Sequence, residues 1–184
     1  MTSPLQWLRR PLVLQTGWTA ALLSFGLTTS GIRANPNGGE IIHGDVTIEG
    51  DGRNLQILQD SDRAIIEWAG FSIGEDESTR VLQPGSTSAL LNRVVGGSRS
   101  DLNGLLEANG KVFLINPNGV LVGPGGRIDT AGFVASTLDL SDGDFLDGGD
   151  MLFSGPSAAA VVNLGSISAR ESDIILIAAN VTNA

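Results

Sequence analysis

The side chains that could carry chemistry are few, and their spacing limits what they could do. His43 is the single histidine and cysteine is absent, so a Ser-His-Asp or Cys-His relay has one base and nothing that marks out its partners. His43 reads as a polar surface or turn residue. Glu67, Glu75 and Asp76 are carboxylates of the kind that work in pairs on glycosidic bonds, yet no spacing singles two of them out. Asp139, Asp142, Asp144, Asp147 and Asp150 form a Gly-containing acidic stretch that could attract calcium. It matches neither the alternating ligands of an EF-hand nor the nonapeptide of calcium-binding β-rolls, and reads as a solvated loop. No catalytic residue, cofactor or metal ligand is assigned. The remaining group, Asn116-Pro117-Asn118-Gly119, has backbone chemistry: Pro117 presets φ at the first corner, and Asn118 or Gly119 can take the positive φ of the second.

That turn sits inside a longer alternation of strands and breakers. Val112 to Ile115 is a compact run of high β-propensity, Val120 to Val122 resumes it, and Gly123-Pro124-Gly125-Gly126 bends the chain again before Arg127 to Asp129 and Phe133 to Ser136. Further short runs occur at Val46 to Ile48, Leu55 to Leu58, Ala64 to Trp68, Phe71 to Ile73, Arg80 to Leu82 and Ala89 to Val95. No window beyond Asn35 sustains a 3.6-residue period. Leu102 to Ala108 could form one or two helical turns capped by Asp101, weakened by Gly104. Trp68 and Phe71, among apolar neighbours, are expected in the core or its cap.

Composition agrees with an all-β chain carried by aliphatics and turn residues: of 184 residues 41% are hydrophobic, 25 are glycine and none is tyrosine. A net charge of -9 with Lys111 as the only lysine argues against nucleic acid as a partner, because phosphate binding needs clustered cations. Arg9-Arg10, the mainly apolar Pro11 to Leu27 and the small residues that follow have the order of a secretory signal peptide. The apolar run is too short and interrupted for the ~20 residues of a membrane span. Residues 1–34 are therefore read as a leader, cleaved between 30 and 34. The general export machinery with its signal peptidase is the route adopted over the twin-arginine one that the paired arginines also fit. Asn35-Pro36-Asn37-Gly38, at the presumed mature start, reads as a flexible turn.

Short strands with frequent turns suit either a meandering sandwich or a solenoid. An internal echo bears on the choice: Val161-Val162-Asn163 returns as Val181-Thr182-Asn183 twenty residues on, with the apolar Asp173 to Ala178 between them. Such a period is what one coil of a parallel β-helix requires, with corner asparagines able to stack along a column. Asn183-Ala184 would then open an unfinished repeat, as at the front of a longer protein.

The order of several motifs makes a resemblance specific. These are Ile66 to Gly74, Leu91-Asn92-Arg93-Val94 with Gly96-Gly97, Asn109 through the Asn116-Pro117-Asn118-Gly119 turn to Val120, Ile128 to Leu138, and Asn163 to Ile167. Together they resemble the secretion domain at the N-terminus of filamentous haemagglutinin-like exoproteins, the cargo half of bacterial two-partner secretion systems. The resemblance covers residues from about Gly38 onward. It implies a right-handed parallel β-helix with an N-terminal cap and small extra-helical hairpins, over residues 35–184. It also implies periplasmic recognition by an outer-membrane β-barrel transporter with POTRA-type domains, and export to the cell surface of a Gram-negative-type bacterium, where the domain would nucleate folding. Asn116, Pro117, Asn118 and Gly119 match the family's NPNG motif, and Asn92 and Arg93 fall in its other patterned stretch. These six are the residues assigned to transporter recognition or to a structural turn. A second motif of the NPNL kind is absent.

The expected function is thus a non-enzymatic targeting domain leading a large adhesin, haemolysin or contact-dependent toxin, with a host-cell or neighbouring-cell surface as eventual target. A stand-alone carbohydrate- or host-binding adhesin and a β-helical polysaccharide lyase or hydrolase are the alternatives.

Overall fold

The structure, a computed structural model, describes residues 34–184. Residues 1–33, where the sequence places the leader, lie outside the described residues. The described part opens with two strands, β1 (Glu40–His43) and β2 (Val46–Gly50), and then winds through about five coils. The first coil is β3 (Asn54–Gln59) and β4 (Arg63–Trp68); the second is β5 (Ser78–Leu82), β6 (Ala89–Val94) and β7 (Ser100–Leu102). β8 (Leu105–Ala108), β9 (Lys111–Ile115) and β10 (Val120–Val122) make the third. The fourth starts with β11 (Arg127–Thr130) and β12 (Gly132–Ser136), then leaves the stack through β13 (Asp139–Leu140), α1 (Asp142–Asp147) and β14 (Phe153–Ser154), and returns at β15 (Ala160–Asn163). β16 (Ser166–Ala169), β17 (Ile174–Ile177) and β18 (Asn180–Asn183) form the fifth.

Stacking the coils creates three sheets, ordered β1-β4-β6-β9-β12-β17, β2-β3-β5-β8-β11-β16 and β7-β10-β15-β18. Strands of successive coils pair in parallel. β1 on β4 and β2 on β3 are antiparallel, so the N-terminal end is closed by a differently directed pair of strands. The protein is a parallel β-helix, not a sandwich. The echo read from the sequence is its coil period: Val161 pairs with Val181 and Asn163 with Asn183, and the Asn163 amide donates to Asn183 Oδ1 at 2.7 Å.

The sheet containing β4, β6, β9 and β12 is apolar on both faces, which is why its strands read as continuous runs rather than alternating ones. Val112 and Leu114 point into the coil interior with Leu90, Ile66, Phe133 and Ala135. Phe113 and Ile115, which alternate with them along β9, point outward with Ile65, Leu91 and Val134. Phe145 of α1 covers that outer cluster, with no exposed surface of its own and its ring edge-on to Phe113 at 5.3 Å. The expected extra-helical hairpin is the β13–β14 pair with α1 at its tip.

Three local expectations are corrected. Asp101 to Ala108 is not helical: β7 and β8 flank Asn103-Gly104, and the Gly104 α-carbon lies against the carbonyls of Gly74 and Glu77 so closely that a Cβ would strike both. Tertiary stacking overrides the local helical tendency there. Phe71 to Ile73 is not a regular strand, and only Ile73 bridges to Leu102. Asn35 to Gly38 is an anchored segment of the N-terminal cap. Asn35 is buried and accepts from Thr79 Oγ1 at 3.3 Å, while Asn37 exchanges backbone bonds with Gly70 at 2.9 and 3.3 Å. Trp68 and Phe71 are in the core as expected, packed edge-to-face at 5.7 Å.

Candidate functional site: the Asn116 corner and the Arg93 clasp

The Asn116 to Gly119 turn joins β9 to β10 and forms one corner of the third coil. Its hydrogen bonds reach the coils on either side. Asn116, fully buried, donates through its amide to Ser98 O at 3.0 Å and Ser100 Oγ at 2.9 Å, and its Oδ1 accepts from the Asn118 backbone at 2.9 Å. Gly119 N–H closes the turn on Asn116 O at 3.0 Å. The Asn118 amide caps Gly96 O at 2.8 Å in the preceding coil. From the coil above, Ser157 Oγ donates to Pro117 O at 2.7 Å. Gly119 has φ of 111°, and a Cβ there would sit 3.1 Å from Ala160 O. Only Pro117 and Asn118 face solvent.

Asn92 and Arg93 do not lie in a turn; both are on β6, pointing to opposite faces as strand alternation demands. Asn92 faces inward with no exposed surface, accepting from Trp68 Nε1 at 3.0 Å and donating to Phe113 O at 3.3 Å. It satisfies the indole N–H that would otherwise be orphaned in the core. Arg93 faces outward and grips the excursion. Its Nη2 donates to Leu140 O and Asp142 Oδ1, both at 2.7 Å, its Nε to Asp139 Oδ1 at 3.0 Å, and its Nη1 to Glu67 at 3.4 Å. Burial works against this charge, but the hydrogen bonds to Asp142 and Asp139 outweigh it and hold the guanidinium above its ordinary pKa.

The six residues assigned from sequence therefore occupy two different parts of the coil stack. Sequence reasoning missed Arg63, whose Nη1 donates to Phe145 O at 2.6 Å and whose guanidinium lies 5.3 Å from the Phe145 ring centre. It also missed that two of the five aspartates are partners of Arg93. The signal was present in Ser141-x-x-Asp144, a helix start: Ser141 Oγ accepts from Asp144 N at 3.1 Å. Glu67 is bound to Arg93, and His43 is exposed at the end of β1. Among the described residues no group of three or more His, Asp or Glu side chains is gathered to hold a metal.

The comparisons with known proteins converge on one family. The family model described as TPS secretion domain matches residues 32–184. The crystal structure of the HMW1 secretion domain from Haemophilus influenzae is similar with a TM-score of 0.73 and 35% identity, over 82% of this chain and 41% of that one. Two Haemophilus influenzae proteins named heme/hemopexin-binding protein are 38% identical over 115 residues and 42% identical over 106 residues. Those matches take in 62% and 57% of this chain but only 13% and 11% of the relatives' length. Matched by that family model over most of its length and by a solved secretion domain in its coil stack, the chain belongs to the TPS secretion domain family.

Proposed function

We propose that this domain is the export signal of a two-partner secretion exoprotein, recognised in the periplasm by POTRA-type domains of its outer-membrane transporter and seeding β-helix folding at the cell surface. The observation that carries the reading is the extent of the family match, residues 32–184, set against relatives in which the matched part is about a tenth of the length. A segment of that kind supplies transport, and the activity of the larger protein resides elsewhere. The cargo would be an adhesin, haemolysin or contact-dependent toxin directed at a host or neighbouring cell. The relatives' name makes capture of heme or hemopexin a further candidate.

Asn116 to Gly119 acts in this reading as a structural corner. Asn116 and Gly119 are buried and their bonds tie three coils together, so the turn sets the path of neighbouring strands instead of presenting its own side chains. Recognition of the unfolded chain proceeds by addition of an extended segment to a sheet edge of the periplasmic domain, where main-chain bonds supply affinity. Residues 1–34 act as the cleaved leader that delivers the chain to the periplasm through the general export machinery.

The test is export of the full chain in cells with and without the partner transporter. Retention in the periplasm on deletion of the transporter, with release on its return, is the expected outcome. Surface delivery that is indifferent to the transporter defeats the reading. Adhesion by the isolated domain, or glycan cleavage lost with one carboxylate, would favour the two alternatives.

A further inference from the structure

An asparagine followed by glycine can modify itself. The glycine amide nitrogen attacks the asparagine Cγ, the Cγ–Nδ2 bond breaks with loss of ammonia, and a succinimide ring forms. Water then opens the ring at either carbonyl, leaving aspartate, or isoaspartate in which the main chain runs through the former side chain. Glycine permits the attack because it has no Cβ to crowd it. The chain holds four such pairs, Asn37-Gly38, Asn103-Gly104, Asn109-Gly110 and Asn118-Gly119. Among the described residues only Asn118-Gly119 has both reacting groups in hydrogen bonds. The Asn118 amide donates to Gly96 O at 2.8 Å and to Asn116 Oδ1 at 3.1 Å, and the Gly119 N–H donates to Asn116 O at 3.0 Å. Asn109 is held through its side chain on Gln83, and Asn103-Gly104 through the Gly104 N–H on Ile73 O.

The corner needs the reactive pair and cannot use its products. Gly119 is required by its φ of 111° and by the nearness of Ala160 O, and the Asn118 amide is the donor that caps Gly96 O. An aspartate at position 118 turns a carboxylate, which only accepts hydrogen bonds when ionised, towards Gly96 O and Asn116 Oδ1, both of them acceptors. Isoaspartate adds a main-chain carbon to the connection between β9 and β10. That connection has no slack: Ile115 is registered on Arg93 and Ser136, and Val120 on Ser100 and Val161.

We propose that Asn118-Gly119 is a self-modification site whose reaction the finished corner suppresses, so that a chain left unfolded progressively loses the ability to close its third coil. Folding stops the reaction by tying up the leaving amide and the attacking nitrogen. The reaction stops folding by removing the donor to Gly96 O. Export must therefore outrun a chemical step that needs only water. That consequence rests on the reading that the chain crosses the periplasm unfolded, whereas the chemistry is tested on purified chain without a transporter, so the two fail separately.

The experiment keeps the full chain in mildly alkaline buffer, either folded or unfolded in guanidinium chloride, and follows conversion of Asn118 by mass spectrometry after proteolysis. Conversion is expected to be at least about tenfold slower in the folded chain, because three hydrogen bonds must open first. Equal rates in the two states overturn the inference. Aged unfolded chain is then returned to native buffer and the protease-resistant portion is collected. Forms modified at Asn118 are expected to be depleted from it, and their recovery in the same proportion as in the starting material overturns the inference. Asn118→Gln, whose longer side chain must close a larger ring and does so far more slowly, is compared with its own unaged sample. It is expected to keep more of its refolding yield through the same ageing than the unaltered chain does. Equal loss assigns the damage to the other three pairs and overturns the inference. Should Asn118→Gln fail to fold, the distribution of the modified forms decides alone.

Discussion

Trp68 Nε1 donates to Asn92 Oδ1 at 3.0 Å across two adjacent coils, in a part of the core where neither residue touches water. Asn92 then passes the connection on to the Phe113 carbonyl in the third coil. Replacing Asn92 with Leu strands the indole N–H in the core, at a cost of about 2 kcal/mol in urea unfolding. Asn92→Leu combined with Trp68→Phe is expected to cost about 1 kcal/mol less than the separate changes summed, because the orphaned donor is removed with its acceptor.

The Asn116 corner divides into buried and exposed halves. Asn116→Ala is expected to destabilise by about 3 kcal/mol, since four hydrogen bonds to or from one buried amide are lost. Asn118→Ala, at an exposed position, is expected to cost about 1 kcal/mol. Gly119→Ala meets both the φ of 111° and the Ala160 carbonyl and is expected to cost about 2 kcal/mol. If the turn is a corner, export of these variants follows their stability; a severe export defect for Asn118→Ala with unchanged melting would point to direct contact.

Arg93 and its partners contribute unequally. The Arg93 side chain is 13% exposed whereas Asp139 is 63% exposed. Arg93→Ala is expected to lose about 2 kcal/mol, while Asp139→Asn or Asp142→Asn loses at most about 1 kcal/mol each after allowance for solvent screening. Chemical denaturation of the three variants orders them directly.

Asp51 supplies an acid-range signature. Hydrogen bonds from the Asn54 backbone and side chain and the Arg53 backbone hold its carboxyl below the ordinary aspartate range. A depressed native pKa means that the contribution is complete above the unfolded value and fades as pH falls through the native one. The difference in melting temperature between the wild type and Asp51→Asn is therefore expected to be constant down to about pH 4 and to shrink below that.

The coil period was legible because Asn163 and Asn183 stand at equivalent corners, and the strands from Lys111 to Ser136 because Asn-Pro-Asn-Gly and Gly-Pro-Gly-Gly punctuate them. Local signals failed where packing between coils decides. Asp101 to Ala108 has helical composition, yet close approach of Gly104 to the coil beneath makes it two strands. Asn35 to Gly38 has the letters of a loose turn, yet the buried Asn35 side chain and the Asn37 ladder tie it down. The clasp was invisible for another reason: Arg63 and Arg93 meet the excursion at separations of 82 and 46 positions, at which composition carries no pairing information.

The fourth coil makes its detour without disturbing the winding. Val120 pairs with Val161 and Val161 with Val181, in the same alignment of neighbouring residues despite the inserted hairpin and helix. Beyond the helix, a Cβ added at Gly149 would meet nothing within 4 Å. Foreign sequence spliced in at that point would extend from the side of the coil stack, which makes Gly149 a natural graft site for a tag or antigen.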